Sequence, residues 1–186
     1  IGQTLSVECI EEHAGSMEMK YGNSMAAAEA IMTTDTKVKT IAVEFEADGK
    51  TCHIGGICKG SGMIHPNMGT MLSFITTDCA ISSEMLDKAL KADVKKTFNR
   101  VTVDGDTSTN DMCCILANGM AGNLPVEQEG PDYDAFCAAL HMVTEDLARK
   151  IAADGEGASK LMTCTVSGAL DEDTAEQLCK SICSSS

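Results

Sequence analysis

The fold class the sequence predicts is a layered α/β arrangement, α+β where strands and helices segregate, with helices covering the faces of a sheet. Two observations carry it. Long stretches with apolar residues three and four apart, at 82–97 and 132–153, alternate along the chain with short β-branched runs. Those runs are of both kinds: strict alternation at 38–46, as in a strand half open to water, and continuous apolar character at 70–78, as in a buried one. With 186 residues, 44% of them hydrophobic, and no internal repeat or low-complexity linker, the chain is expected to form a single domain, residues 1–186, around one core.

Taken in order, residues 22–32 (GNSMAAAEAIM) predict a helix, because Ala, Met and Glu are strong helix formers and Asn23 or Ser24 can cap the first turn. The polar cluster Thr33, Thr34, Asp35 and Thr36 stops it. In 38–46, Ile41, Val43 and Phe45 alternate with Ala42, Glu44 and Glu46, the period of a strand. The stretch ADGK at 47–50 predicts a hairpin turn into a second strand at 51–58. A Gly-rich segment, Gly55 to Gly69, then gives way to the strand-like run 70–78. Ser82 or Ser83 can cap the helix 82–97, which gathers Met85, Leu86, Ala89, Leu90 and Val94 on one face. Beyond the polar loop 104–111, the run MCCILAN at 112–118 reads as a strand. The helix 132–153 aligns Phe136, Leu140, Val143, Leu147 and Ile151 and stops at Asp154 and Gly155. A strand at 160–168 and a helix at 171–183, with Ala175, Leu178, Cys179 and Ile182 inward, complete the expectation.

Composition narrows the function. A formal charge of -14, from 28 acidic against 14 basic residues, repels phosphate backbones and anionic headgroups, so neither nucleic acid nor a membrane is expected as partner. Aromatic content of 3%, without Trp, leaves no stacking platform for bases, and the core must be filled by aliphatic residues, Met and Cys. The ten cysteines follow no visible signal peptide and fit a reducing, cytoplasmic setting better than a disulfide framework. They and the methionines are expected in the core. No cysteine pair has the C-x-x-C spacing of a zinc site and the His residues are scattered, so no metal is assigned. The absence of an initiator Met at Ile1 and the polar end at Ser184, Ser185 and Ser186 suggest a piece of a longer protein.

The segment with chemical promise is KGSGMIHPNMGTML, Lys59 to Leu72. Local rules make it a flexible connector. A phosphate cradle would need the G-x-x-x-x-G-K-[ST] spacing before a helix, and here a strand-like run follows instead. A third reading is an autoproteolytic junction. A Thr preceded by Gly can attack the carbonyl before it, and Gly69 permits the strained backbone such an attack demands. Cleavage between Gly69 and Thr70 would leave an α-amine on the residue that carries the hydroxyl. That amine, with a reference pKa of about 7.7 to 8.0, can serve as its base near neutral pH. Most G-T pairs do nothing of the kind, and residue types alone do not choose among the three.

At separate places the chain resembles the bifunctional ornithine acetyltransferase (glutamate N-acetyltransferase) family of arginine biosynthesis. They are IGQ at 1–3, AEAIMTTDT at 28–36, KGSGMIHPNMGTML at 59–72, FNRVTVDGDTSTND at 98–111 with ILANG at 115–119, and DGEGASK at 154–160. Their order and spacing match, and they span nearly the whole chain. The resemblance implies that the chain is the central part of a precursor that cuts itself before Thr70. Residues 1–69 would then end an α chain and residues 70–186 begin a β chain. It implies further that Thr70 is the acetyl-carrying nucleophile and that Thr33, Lys59 and Glu156 contact substrate. The implied fold is a four-layer α/β/β/α sandwich similar to that of N-terminal-nucleophile hydrolases. Its two cleaved pieces remain interwoven, in a heterotetramer or larger oligomer.

The implied reaction moves the acetyl group of N-acetylornithine to glutamate through acetyl-Thr70, with no metal or organic cofactor. Some members of the family also take acetyl-CoA as donor. Bland rivals stand beside each assignment. Thr33 could cap or end a helix, Lys59 could be a solvated charge and Glu156 a loop carboxylate. The loop DGDTSTND lacks the Gly and Glu of an EF-hand and reads as a structural loop near the site. The chain departs from the family in having Gly69 where Ala is common. The family's oxyanion-hole Thr-Gly pair would fall upstream of Ile1 and further substrate residues beyond Ser186, so the isolated piece is expected to be weak or inactive. Two alternatives remain at this level: an N-terminal-nucleophile aminopeptidase or amidase that passes the acyl group to water, and an inactive fragment acting only in assembly.

Overall fold

The computed structural model describes residues 4, 6–17, 22–65, 71–108 and 110–185. A first helix, α1 (Val7–Ala14), lies where no element was expected; the Ser6 hydroxyl accepts the Cys9 N–H at 3.4 Å and so caps it. Helix α2 (Ser24–Ala30) is shorter than the expected 22–32 and ends before the Thr-Thr-Asp cluster. Strands β1 (Lys39–Ala47) and β2 (Lys50–Lys59) form the hairpin the alternation requires. Its two-residue loop, Asp48 and Gly49, takes φ of 51° and 64°, the left-handed pair whose twist matches the strands it joins.

Strand β3 (Leu72–Thr77) pairs antiparallel with β2, and β4 (Met112–Ala117) pairs parallel with β3, giving the sheet order β1-β2-β3-β4. A parallel pair needs a crossover. Helix α3 (Ser83–Val94), capped by the Ser82 hydroxyl on the Met85 N–H at 3.2 Å, supplies it with a 3-10 turn at Phe98–Arg100. Helix α4 (Pro131–Ala153), started by a proline that needs no N–H donor there, runs over the sheet. Helix α5 (Glu172–Cys183) is last.

Cys52, Ile54, Gly56, Ser73 and Ile75 turn toward α4 and are buried, and Phe136, Leu140, Val143, Leu147 and Ile151 meet them. Gly56 stands in the strand because of this contact: a Cβ there would lie 3.0 Å from Leu147 and 3.2 Å from Val143. The expected Gly-rich loop therefore begins only after Lys59, and Gly55 and Gly56 belong to β2. The other sheet face carries Ile57 opposite Phe74 and Phe74 opposite Cys114, all half-buried, with Met112 and Leu116 exposed. The described residues thus provide one sheet and its helical cover. The open, partly apolar face is where the second sheet of a four-layer sandwich would stack.

Three further expectations are corrected. Residues 160–168 form no strand: the segment lies against α5 and the end of α4, and among the described residues no strand runs beside it to complete a ladder. Helix α5 has no fully buried residue, and Leu178 and Ile182 are about half exposed. Most methionines named in the structure are surface residues, Met17, Met25, Met120 and Met162 among them, whereas Met71 and Met85 are buried. Of the ten cysteines, all free, Cys52, Cys58 and Cys79 do lie in the core.

Candidate active site

The hairpin register sets Lys39 opposite Cys58, so the segment before β1 and the loop after β2 leave the sheet at one edge. The C-terminal end of α4 reaches the same edge, because Lys39 Nζ lies 2.6 Å from Asp154 Oδ2. Asp35 completes the joint, with Oδ1 2.6 Å from Lys39 Nζ. Both carboxylates accept several donors. Asp35 accepts the backbone N–H groups of Gly60 at 2.7 Å and Thr33 at 3.2 Å. Asp154 accepts those of Thr36 at 3.0 Å and Lys37 at 3.3 Å, and also the Thr36 hydroxyl. Burial works against ionising Asp154, but the bonds from Lys39 and Thr36 outweigh it and hold its pKa at about 2. For Asp35, burial is likewise outweighed, by the Gly60 N–H and Lys39, and its pKa is lowered.

Three of the four substrate-contacting residues expected from the sequence meet on this platform. Lys59 is buried at the end of β2, and its Nζ donates to Thr33 Oγ1 at 3.1 Å. The Glu156 N–H donates to the Ser61 carbonyl at 2.6 Å. Its carboxylate stands against Gly62, where a Cβ would come within 2.7 Å of Glu156 Cδ. Thr34 and Ser61 share a hydroxyl–hydroxyl bond of 2.6 Å. Thr33, Lys59 and Glu156 therefore surround one short turn, Lys59 to Gly62. Thr33 lies beyond the end of α2, whose C-cap is Ile31, and Lys59 is buried and not a solvated charge. Glu156 remains exposed. The fourth residue, Thr70, and the expected cleavage partner Gly69 lie outside the described residues.

The chain on either side of that junction is tied down by residues that sequence reasoning set aside as a structural loop. Asp104 accepts the N–H groups of Met63 and, at 3.0 Å, Ile64. The Ile64 carbonyl accepts the Val103 N–H at 2.7 Å. After the junction, the Met71 N–H donates to Asp111 Oδ1 at 2.8 Å and the Met71 carbonyl accepts the Met112 N–H at 3.0 Å. Burial raises the Asp111 pKa, against the opposing pull of the Met71 N–H and the Lys59 charge. The stretch DGDTSTND is thus an anchor for both flanks. The signal was its Asp content, since short acidic side chains in loops commonly take backbone N–H groups, but residue type does not say whose. Among the described residues, no three His, Cys, Asp or Glu side chains converge as a metal site requires.

Comparison with known proteins bears on this arrangement. The family model described as ArgJ family matches residues 1–186. The arginine biosynthesis bifunctional protein ArgJ of Listeria monocytogenes is 50% identical over 187 residues, covering 100% of this chain and 47% of that protein. Its namesake in Shouchella clausii is 48% identical over 182 residues, covering 98% and 44%. The crystal structure of arginine biosynthesis bifunctional protein ArgJ from Bacillus halodurans superposes with a TM-score of 0.61 at 50% identity, over 62% of this chain and 55% of that one. The mixed α/β fold is thus shared with a solved relative, and the chain spans about half the length of the relatives it matches.

Proposed function

The chain belongs to the ArgJ family, and from that premise we propose that it is the central part of an acetyltransferase of arginine biosynthesis that exchanges acetyl groups between ornithine and glutamate. The observation that carries the reading is the meeting of Thr33, Lys59 and Glu156 around the turn Lys59 to Gly62, a few residues before Gly69 and Thr70. In the proposed cycle the precursor cleaves itself before Thr70, leaving residues 1–69 and 70–186 as parts of an α and a β chain. The free α-amine of Thr70 takes the hydroxyl proton, and the oxygen attacks the acetyl carbonyl of N-acetylornithine. The proton passes to the leaving nitrogen, and ornithine departs from acetyl-Thr70. The amine of glutamate then attacks the ester, and N-acetylglutamate leaves as the threonine hydroxyl is restored.

The substrates are small amino acids, and the platform offers complementary charges to them. Glu156, exposed beside Gly62, suits an ammonium group; the Lys59 ammonium, steadied on Thr33 Oγ1, suits a carboxylate. Splitting the exchange into two covalent steps lets one pocket serve both amino acids without a cofactor. Acetyl-CoA as an alternative donor and assembly of the cleaved pieces into a heterotetramer or larger oligomer belong to the same proposal.

The full-length protein tests it. Mass spectrometry should find a β chain beginning at Thr70, and a 70-start peptide heavier by one acetyl group after exposure to N-acetylornithine. Ornithine release should depend on glutamate. Equal release with and without glutamate would establish a hydrolase of the N-terminal-nucleophile kind instead, and a single uncut, unlabelled chain would end the catalytic reading.

A further inference from the structure

Lys39 takes no part in the proposed chemistry, yet it is almost completely buried, 1% exposed. It opens the inward row of β1, the row continued by Ile41, Val43, Phe45 and Ala47, where an apolar residue would suit the pattern. All three of its ammonium donors are used: on Asp35 and Asp154 at 2.6 Å each, and on the Lys37 carbonyl at 3.3 Å. Burying such a triad is expensive, and well-packed apolar replacements are often as stable or more so. Stability alone therefore gives no reason for it.

What the triad does have is connectivity. Asp35 carries the Lys39 charge to the N–H of Thr33 itself and to that of Gly60, the residue after Lys59. Asp154 ends α4 two residues before Glu156 and holds the backbone of Thr36 and Lys37. Three chain segments that are far apart in sequence, each carrying one substrate-contacting residue, are therefore joined through one ammonium. We propose that Lys39 is a positioning residue: the Asp35–Lys39–Asp154 joint sets the mutual spacing of Thr33, Lys59 and Glu156, and with it the affinity for the amino-acid substrate. This rests on the acetyl-transfer reading above.

The test uses the full-length protein, wild type and carrying K39M, D154N, or the neutral triple K39M/D35N/D154N, which keeps a side-chain acceptor for the Thr36 N–H and for one of the Thr33 and Gly60 N–H groups, since these two bond to different oxygens of Asp35. Melting temperature, the fraction cleaved before Thr70, and kcat and KM for N-acetylornithine are read separately. The triple variant should fold and cleave, with KM raised about tenfold or more, the scale of one lost charge-assisted contact, and kcat changed less than about threefold. A merely structural joint would lower the melting temperature and leave KM where it was, and that result in the folded triple variant overturns the inference. If K39M fails to fold, D154N decides: Lys39 then keeps Asp35 but loses its charge pairing to the end of α4, so KM should rise by about threefold or more, and a wild-type KM overturns the inference. Failure of the acetyl-transfer reading would appear elsewhere, as a wild-type protein that moves no acetyl group.

Discussion

The seam between α4 and the sheet and the loop platform at the sheet edge are neighbours built on opposite principles. In the seam, Phe136, Leu140, Val143 and Leu147 are fully buried against Ile54, Ile75 and the space left by Gly56, and Phe136 meets Phe45 edge-on with ring centroids 5.9 Å apart. Its attraction is non-directional and grows with area. The platform has little apolar area: carboxylates of Asp35, Asp104, Asp111 and Asp154 take backbone N–H groups one by one. Directional bonds fix distances. The difference teaches that stability should reside mostly in the seam and substrate affinity mostly in the platform, so substitutions in the two regions should separate the two properties.

The largest effect is expected from the seam. Phe136→Ala removes a ring with no exposure and should cost about 4 kcal/mol, read as a lower urea midpoint at unchanged slope, with KM for N-acetylornithine unaltered in the molecules that remain folded. A raised KM would break the comparison. Next comes acid. The Asp154 pKa is depressed from 3.8 to about 2, so the stability it contributes, about 2 kcal/mol, is present in full above the unfolded value and is lost as pH falls through the folded one. Melting temperatures of the wild-type protein and D154N, taken from pH 5 to pH 2, should therefore converge. Parallel curves across that window would show that ionisation of Asp154 contributes nothing to stability.

The two regions also differ in how far the sequence revealed them. Periodicity identified the α4 side of the seam residue by residue, because a buried helix face must repeat every three to four positions whatever it touches. The Asp48–Gly49 hairpin was equally plain, since only a left-handed pair closes so short a loop. Residues 160–168 misled because residue types report at most an appetite for a strand, and a ladder needs a partner. In the platform, family likeness picked out Thr33, Lys59 and Glu156, and their types alone could not. Asp104 and Asp111 could be read only as part of a structural loop near the site, and Lys39 was not singled out, for a physical reason: Asp104 and Asp111 take backbone groups 40 or more positions away and Lys39 reaches Asp154, 115 positions away, and such distant partners leave no mark on residue type.

A smaller substitution sharpens the division from the platform side. An added Cβ at Gly62 would stand 2.7 Å from Glu156 Cδ and 2.8 and 2.9 Å from its carboxylate oxygens. These atoms end a flexible, exposed side chain, so Gly62→Ala should displace Glu156 at little cost to the fold, less than about 1 kcal/mol. The KM for N-acetylornithine should nevertheless rise about tenfold. Kinetics on the full-length variant, beside its melting temperature, decide: a wild-type KM would mean that the Glu156 carboxylate does not receive the substrate ammonium.

The smallest effect belongs to a pair outside both regions. His53, on the open face of β2, donates its backbone N–H to Asp78 Oδ1 at 2.6 Å and sets Nδ1 2.7 Å from Asp78 Oδ2, with Glu44 3.5 Å from Nε2. The hydrogen bond to Asp78, with its charge, raises the His53 pKa above 6.5. A raised value means that the protonated ring stabilises the fold fully below the unfolded pKa, and that this contribution fades as pH climbs through the folded one. Full exposure and salt screening keep it slight. The melting-temperature difference between wild type and H53N should thus be positive at pH 6, shrink above the His53 pKa, and diminish in added salt. KM should stay flat throughout, because no described bond links His53 to the turn Lys59 to Gly62. If KM followed the His53 titration, substrate affinity would depend on the open sheet face as well as its edge, and the boundary between the two regions would have to be moved.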